Sequence, residues 1–293
     1  MPDLFITPDD RLQAVFDKAQ PGTVIHLSPG VYRQKAVIRT PNLTIIGAGA
    51  EKTRIVYDDY ARKRGEDRFA YITFRSYTLA VCADGVTMED LAVINDAGSP
   101  QEKGQQVALS VIGDGFLMEN CHLRSTQDTL FAGPLPPDLI ERYEGFLPDE
   151  LRRGGEMKQA YKNCRIEGSV DFIFGCADAL FDSCEIRSVF DGRQIGYVAA
   201  PAHSLCQKEG FTFRACRLTK GEGVAPNAIY LARPWRDHGL CLFQDCVYGD
   251  HICKEGFDKW GDTNRDKTAR FFETPAVCGR VLWINRTGED DTL

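Results

Sequence analysis

The sequence predicts an all-β chain wound as a parallel β-helix (a solenoid), with a short N-terminal capping helix and long loop excursions. Three observations predict it. Six segments share one phase: Thr87–Val93, Leu117–Leu123, Ala160–Ile166, Leu180–Ile186, Thr212–Leu218 and Leu242–Tyr248. Each runs as a large apolar residue, two mostly polar ones, Cys or Leu, a variable residue, then usually an apolar one. The repeat cysteines Cys121, Cys164, Cys184, Cys216 and Cys246 fall at intervals of 43, 20, 32 and 30 residues, which fits a short unit lengthened by loops. The segments are short, alternate in polarity and are punctuated by Gly, Asn and Asp, the signals of strands and turns. Self-similarity of this kind implies coils that cover each other's apolar faces. The leucines are too sparse for a leucine-rich repeat.

The elements follow in chain order. Asp9 to Ala19 carries Leu12, Val15, Phe16 and Ala19 at helical spacing, and such a helix would cap the open N-terminal end of the solenoid. Asn42–Gly47 is a weaker relative of the repeat, and the glycines of Gly47–Ala50 belong to a coil turn rather than a phosphate loop. The repeat cysteines are small apolar fillers of the coil interior. Pro134 to Lys158 breaks the period with Pro134, Pro136, Pro137 and Pro148 and mixed charges. This excursion, about residues 132–158, is expected on the surface, with a short helix at Pro148–Leu151. The tail beyond Glu289 is expected to fray.

Composition excludes several classes. A chain of 293 residues, 43% hydrophobic and 26% charged, suits one large globular domain or two small ones with a sizeable core, and with the repeat running through it 1–293 is taken as one domain. A net charge of −7 disfavours nucleic acid and anionic membrane, and no apolar run approaches a membrane span. The N-terminus lacks signal-peptide character, so a cytoplasmic location is expected, with secretion or a periplasmic home if a signal has been removed. The 11 cysteines are odd in number and lack CxxC spacing, which reads as reduced thiols. His26, His122, His203, His238 and His251 form no ligand motif, so neither metal nor other cofactor is expected. A monomer is expected.

Chemistry enters through two aspartates in repeat phase. Asp128 follows Cys121 by seven residues and Asp171 follows Cys164 by seven. If the coils stack, the two carboxylates share a face, and a close carboxylate pair can divide nucleophilic and acid/base work without histidine or metal. Spacing alone leaves the pair open, because Asp191 also follows Cys184 by seven residues. No GxSxG elbow is present, which argues against an α/β-hydrolase.

Four blocks add context: Gln105–Leu109, Gln127–Phe131, Gly168–Gly175 and Leu231–Trp235. Together, and in this order, they resemble the pectin methylesterases, carbohydrate esterases with a right-handed parallel β-helix, and the similarity spans about residues 7 to 285. The resemblance implies hydrolysis of C6 methyl esters of polygalacturonate or oligogalacturonides to carboxylate and methanol. It implies that Asp171 is the nucleophile and Asp128 the general acid/base, that Gln105 and Gln127 donate to the oxyanion, and that Arg233 orients Asp171 and helps hold substrate. Trp235 would stack on sugar, and Val170 and Phe174 would flank the nucleophile as wall residues. Asp191 becomes a coil-turn residue, because no matching block surrounds it, and Trp260 and Trp283 are left as packing. The chain departs from the common pattern at Gln34, Gln106, Ser110 and Ala232, none of which removes a mechanistic group. The excursion is expected to wall one end of the cleft and to favour short oligogalacturonides over polymer. Two other readings stand beside this one: an esterase acting on another acyl group, and a non-catalytic β-helix that binds acidic sugar.

Overall fold

The structure, a computed structural model, describes residues 3–66 and 68–275. Three parallel sheets of ten, eight and seven strands run along one axis, and the chain visits them in rotation. Phe116–Glu119 lies in the ten-stranded sheet, His122–Arg124 in the eight-stranded one and Leu130–Ala132 in the seven-stranded one. After the excursion, Lys158–Lys162 re-enters the first sheet. This is the parallel β-helix, and each residue's main chain bonds to the same position one coil away.

Between the first and second sheets the chain turns on one residue. Asp90, Asn120, Asn163, Ser183, Ala215 and Asp245 hold that corner with φ between 51° and 55°. Asn and Asp tolerate this left-handed conformation better than other side-chain-bearing residues, which accounts for the Asn-Cys and Asp-Leu pairs in the repeat. The corner turns the next residue inward, so Leu91, Cys121, Cys164, Cys184 and Cys216 are buried. Each later thiol donates to a carbonyl one coil back: Cys164 to Met118 at 3.5 Å, Cys184 to Tyr161 at 3.3 Å, Cys216 to Phe181 at 3.2 Å and Cys246 to Phe213 at 3.3 Å. The repeat cysteines Cys121, Cys164, Cys184, Cys216 and Cys246 are free thiols, and burial pushes the Cys121 thiol up to about 12, far from thiolate chemistry.

Beside the thiols runs an aromatic stack. Tyr161, Phe181, Phe213 and Phe243 lie face to face at centroid separations of 4.9, 4.6 and 4.5 Å. All four are fully buried. Burying each such ring contributes about 1.5–3 kcal/mol, so this column is a major source of cohesion between coils.

The capping helix runs Leu12–Lys18, shorter than Asp9–Ala19. Its start is displaced because the Asp10 carboxylate accepts from the Thr7 main-chain N–H at 2.8 Å and holds a turn there. Gln34 then caps the helix: its Oε1 accepts from Leu12 N–H at 2.9 Å and its Nε2 donates to Asp10 O at 2.7 Å. A neutral amide at this position serves as both acceptor and donor. Leu12 and Phe16 close the end of the core.

The excursion is more ordered than a surface loop. It contains a helix, Pro137–Arg142, and a 3₁₀ turn, Asp149–Leu151, in place of the expected helix at Pro148–Leu151. The first helix was not foreseen because its prolines read as breakers, whereas proline at the first helical position starts a helix. Leu135, Leu139, Leu147, Leu151 and Met157 pack with Phe74, Phe131 and Phe174 in a second core outside the coils. Trp283 and the tail beyond Glu289 lie outside the described residues. No described helix is long and apolar enough to cross a membrane.

Replacing Phe213 by Ala should remove the middle of the aromatic column and destabilise the protein by roughly 3–5 kcal/mol, read as a lowered denaturation midpoint. The same change at the half-exposed Phe190 should leave the midpoint almost unmoved.

Candidate active site

Strand Leu130–Ala132 pairs in register with strand Val170–Gly175, Leu130 against Ile173 and Phe131 against Phe174. Asp128 and Asp171, two residues before those partners, therefore stand level on neighbouring coils, where strands lie about 4.8 Å apart. Both have positive φ, 64° at Asp128 and 49° at Asp171. Backbone strain of this kind is tolerated where the surrounding structure enforces it.

The enforcement at Asp171 is a β-bulge. Against the next strand, Val170 faces Tyr197 and Ile173 faces Ala199, so three steps on one side match two on the other. The extra residue lets both Phe172 and Ile173 enter the core while Phe174 joins the outer apolar cluster. Gly175 closes the block with φ 131°, and a Cβ there would lie 2.0 Å from Ala132 O. The Gly168–Gly175 sequence is thus a packing prescription for presenting one carboxylate.

Arg233 faces that carboxylate in a fork, Nε to Oδ1 at 2.7 Å and Nη2 to Oδ2 at 2.6 Å. Its guanidinium is clamped between rings, 3.8 Å from the Tyr197 centroid and 4.0 Å from that of Trp260. The clamp fixes the fork and, through it, the orientation of Asp171.

Gln127 is oriented from behind. Arg193 Nη1 donates to Gln127 Oε1 at 3.0 Å, which turns the amide NH₂ the other way. Arg193 is itself gripped by Asp191, with Nε 3.2 and 3.0 Å from the two carboxylate oxygens and Nη2 also bonded to Oδ2. Ser169 donates to the same Asp191 oxygen at 2.5 Å. Burial would raise Asp191, but Arg193 and Ser169 bring it below the ordinary carboxylate value. Asp191 is therefore more than a coil-turn residue: it anchors the arginine that sets Gln127.

Both aspartates are buried, and burial raises both carboxyls. At Asp128 the negative charge of Asp171 adds to burial and carries the carboxyl well above its ordinary value. At Asp171 the Arg233 fork opposes burial. The pair is thereby made unequal: Asp171's charge adds to burial at Asp128, whereas the arginine fork counters burial at Asp171.

The two carboxyls open into a cleft of about 480 Å³ that Gln105, Gln127, Phe174, Arg233 and Trp235 also line. The structure thus brings together every predicted site residue except Val170. Val170 is buried and contributes its carbonyl, which accepts from Asp128 N–H at 3.1 Å. The bulge sends its neighbour Asp171, rather than Val170, outward. Trp260, read as packing, lines the cleft, as do Phe74, Arg142 and Tyr143, none of which carried a repeat or block signal. Gln106 is buried and donates to Gly98 O at 2.9 Å, a structural role. Among the described residues no group of three His, Cys, Asp or Glu side chains could hold a metal.

A family model described as Pectinesterase matches residues 4–134 and 153–279. The chain belongs to the pectinesterase family. Pectinesterase 31 of Arabidopsis thaliana is 30% identical over 282 residues, covering 92% of this chain and 80% of that protein. Probable pectinesterase 56 of the same plant is 30% identical over 261 residues, with 86% and 80% covered. Among solved structures, a pectin methylesterase from carrot superposes with a TM-score of 0.77 at 23% identity, over 97% of this chain and 86% of its own. A pectin methylesterase in complex with a hexasaccharide gives 0.76 at 24%, over 92% and 85%. These two share the pectinesterase fold with this chain. Residues 135–152, inside the excursion, fall outside the two matched segments.

The Asp128 shift has a signed consequence. A carboxyl raised on folding keeps its proton longer in the native state, so wild type loses stability as pH climbs from the unfolded value of about 3.9 towards the raised one. Asp128→Asn has no such loss. Its melting temperature relative to wild type should therefore increase from pH 4 to pH 8; a difference independent of pH would contradict the assigned burial of charge.

Proposed function

We propose that the protein hydrolyses C6 methyl esters of galacturonan chains by covalent catalysis at Asp171. The observation that carries this reading is the split carboxylate pair: one aspartate forked by Arg233, the other raised by burial and by its neighbour, beside an amide whose NH₂ is turned away from Arg193. Family membership supports the ester-hydrolase class.

The reaction balances as follows. An Asp171 oxygen attacks the ester carbonyl carbon, and the carbonyl electron pair moves onto oxygen. Gln105 and Gln127 N–H groups donate to that oxyanion, where a preorganised donor is typically worth about 2.7–4 kcal/mol. As the intermediate collapses, the C–OCH₃ bond breaks and the Asp128 proton passes to the leaving oxygen, giving methanol and an anhydride between Asp171 and the uronate. Asp128, now a carboxylate, takes a proton from water as its oxygen attacks the same carbon. Collapse releases Asp171 and the uronic acid, which ionises, and Asp128 is protonated again. Trp235, Phe174 and Trp260 offer ring faces to the sugars, and the excursion, which walls the cleft with Leu139, Arg142 and Tyr143, supports a preference for short chains.

Asp171→Asn should abolish methanol release from methylated oligogalacturonides while the protein keeps its fold by circular dichroism. Acetate release from acetylated chains, with no methanol from methylated ones, would move the reading to another acyl group. Gln127→Ala should lower kcat about 10²–10³-fold. Arg193→Ala should lower kcat about tenfold with KM almost unchanged, and Arg193→Lys should restore part of it; an equal fall in both parameters would make Arg193 merely structural.

A further inference from the structure

We infer that Arg142, on a segment outside the family-model match, binds the free carboxylate of a uronate neighbouring the ester under attack. The preferred substrate is then a partly de-esterified galacturonide rather than a fully methylated one. The inference rests on the pectin-esterase reading of the cleft and extends it to the sugars beside the reacting one.

Three arginines line the cleft. Arg233 is committed to Asp171. Arg236 forks onto Asp138, at 3.2 and 2.7 Å. Arg142 is exposed and, among the described residues, has no carboxylate in ion-pair contact. Its natural helix partner, one turn back, is Asp138, and Arg236 already occupies both oxygens of that carboxylate. Among the described residues, Arg142 is thus the cleft arginine without a carboxylate partner; its guanidinium lies 5.7 Å from the Tyr143 ring centroid, on a stretch outside the family-model match.

The wall is built to hold that residue in place. Arg152 donates to Ile140 O at 3.3 Å and to Leu147 O at 3.2 Å, bracing the helix that ends at Arg142. Leu139 and Leu147 are buried beneath it. Arg39–Glu150 at 2.8 Å and Arg153–Asp84 at 2.6 Å tie the excursion to the coils. The reacting position is already lined by the Asp128 and Asp171 carboxyls, so a further carboxylate in this cleft is best held away from the centre. A guanidinium on the rim is suited to it because its planar fork matches a carboxylate.

The experiment measures methanol release from two trigalacturonides, one carrying a single methyl ester between free acids and one fully esterified, with wild type, Arg142→Gln, Arg142→Lys, Arg142→Glu and Asp171→Asn. Exposed ion pairs are modest, so Arg142→Gln should raise KM for the singly esterified trimer about fivefold and Arg142→Glu tenfold or more. Arg142→Lys should retain part of the effect. All three variants should keep the wild-type circular dichroism and melting midpoint, and KM for the fully esterified trimer should change much less than KM for the singly esterified one. The wild-type preference should shrink between about 20 mM and 500 mM NaCl as the charges are screened. Equal changes on both substrates, or none on either, would overturn the assignment to Arg142. Methanol release surviving in Asp171→Asn would instead overturn the esterase reading beneath it.

Discussion

Everything in this molecule depends on the in-register main-chain ladder between coils. It repeats each residue position about every 4.8 Å along the axis, so whatever a coil presents outward is met by the equivalent residue of the next. From Asp90 to Asp245 the single-residue corners keep the count fixed: one left-handed residue, then Cys or Leu, at each of these six turns from the first sheet to the second. Because the count holds, Asp128 and Asp171 meet although 43 residues separate them in sequence, 25 of these (133–157) lying in the excursion between two strands. Proximity that a loop-built site would have to secure with dedicated contacts is here a by-product of stacking.

Chemistry then requires that two equal groups be made unequal. The ladder supplies a symmetric pair; the surroundings break the symmetry. Arg233, clamped by Tyr197 and Trp260, opposes the effect of burial on one carboxyl, while burial and the neighbouring charge act together on the other. A second arginine acts at one remove: Arg193 touches neither carboxylate in a hydrogen bond described here but dictates which way the Gln127 amide faces. Both arginines come from coils or loops following the aspartates, so the site draws on several successive turns of the solenoid.

How much of this could be read beforehand follows the same logic. Features tied to the repeat were legible. The phase of Cys121 and Cys164 predicted the shared face, and the Asn and Asp residues before the interior positions marked the corners. Features in the connections were not. Arg193 and Trp260 lie in loops without period, and their partners are distant in sequence, so nothing local announced them. Val170, named as a wall residue through the resemblance, is buried beside a bulge that no sequence pattern marked. Pro137 misled because proline's meaning depends on whether it falls inside a helix or opens one. Asp191 was passed over because its role is held through Arg193, a contact no spacing rule reveals.

The excursion's point of attachment has a further consequence. It leaves the solenoid after Ala132 and returns at Lys158, between a strand of one sheet and a strand of the next, where the ladder makes no demand on length. Residues can be gained or lost there without sliding Leu130 against Ile173, and hence without parting the two aspartates. Heredity can therefore edit what surrounds the reaction and leave the reaction alone. Such a scaffold holds the face that carries Asp128 and Asp171 fixed by geometry, while the rim can lengthen and acquire new side chains.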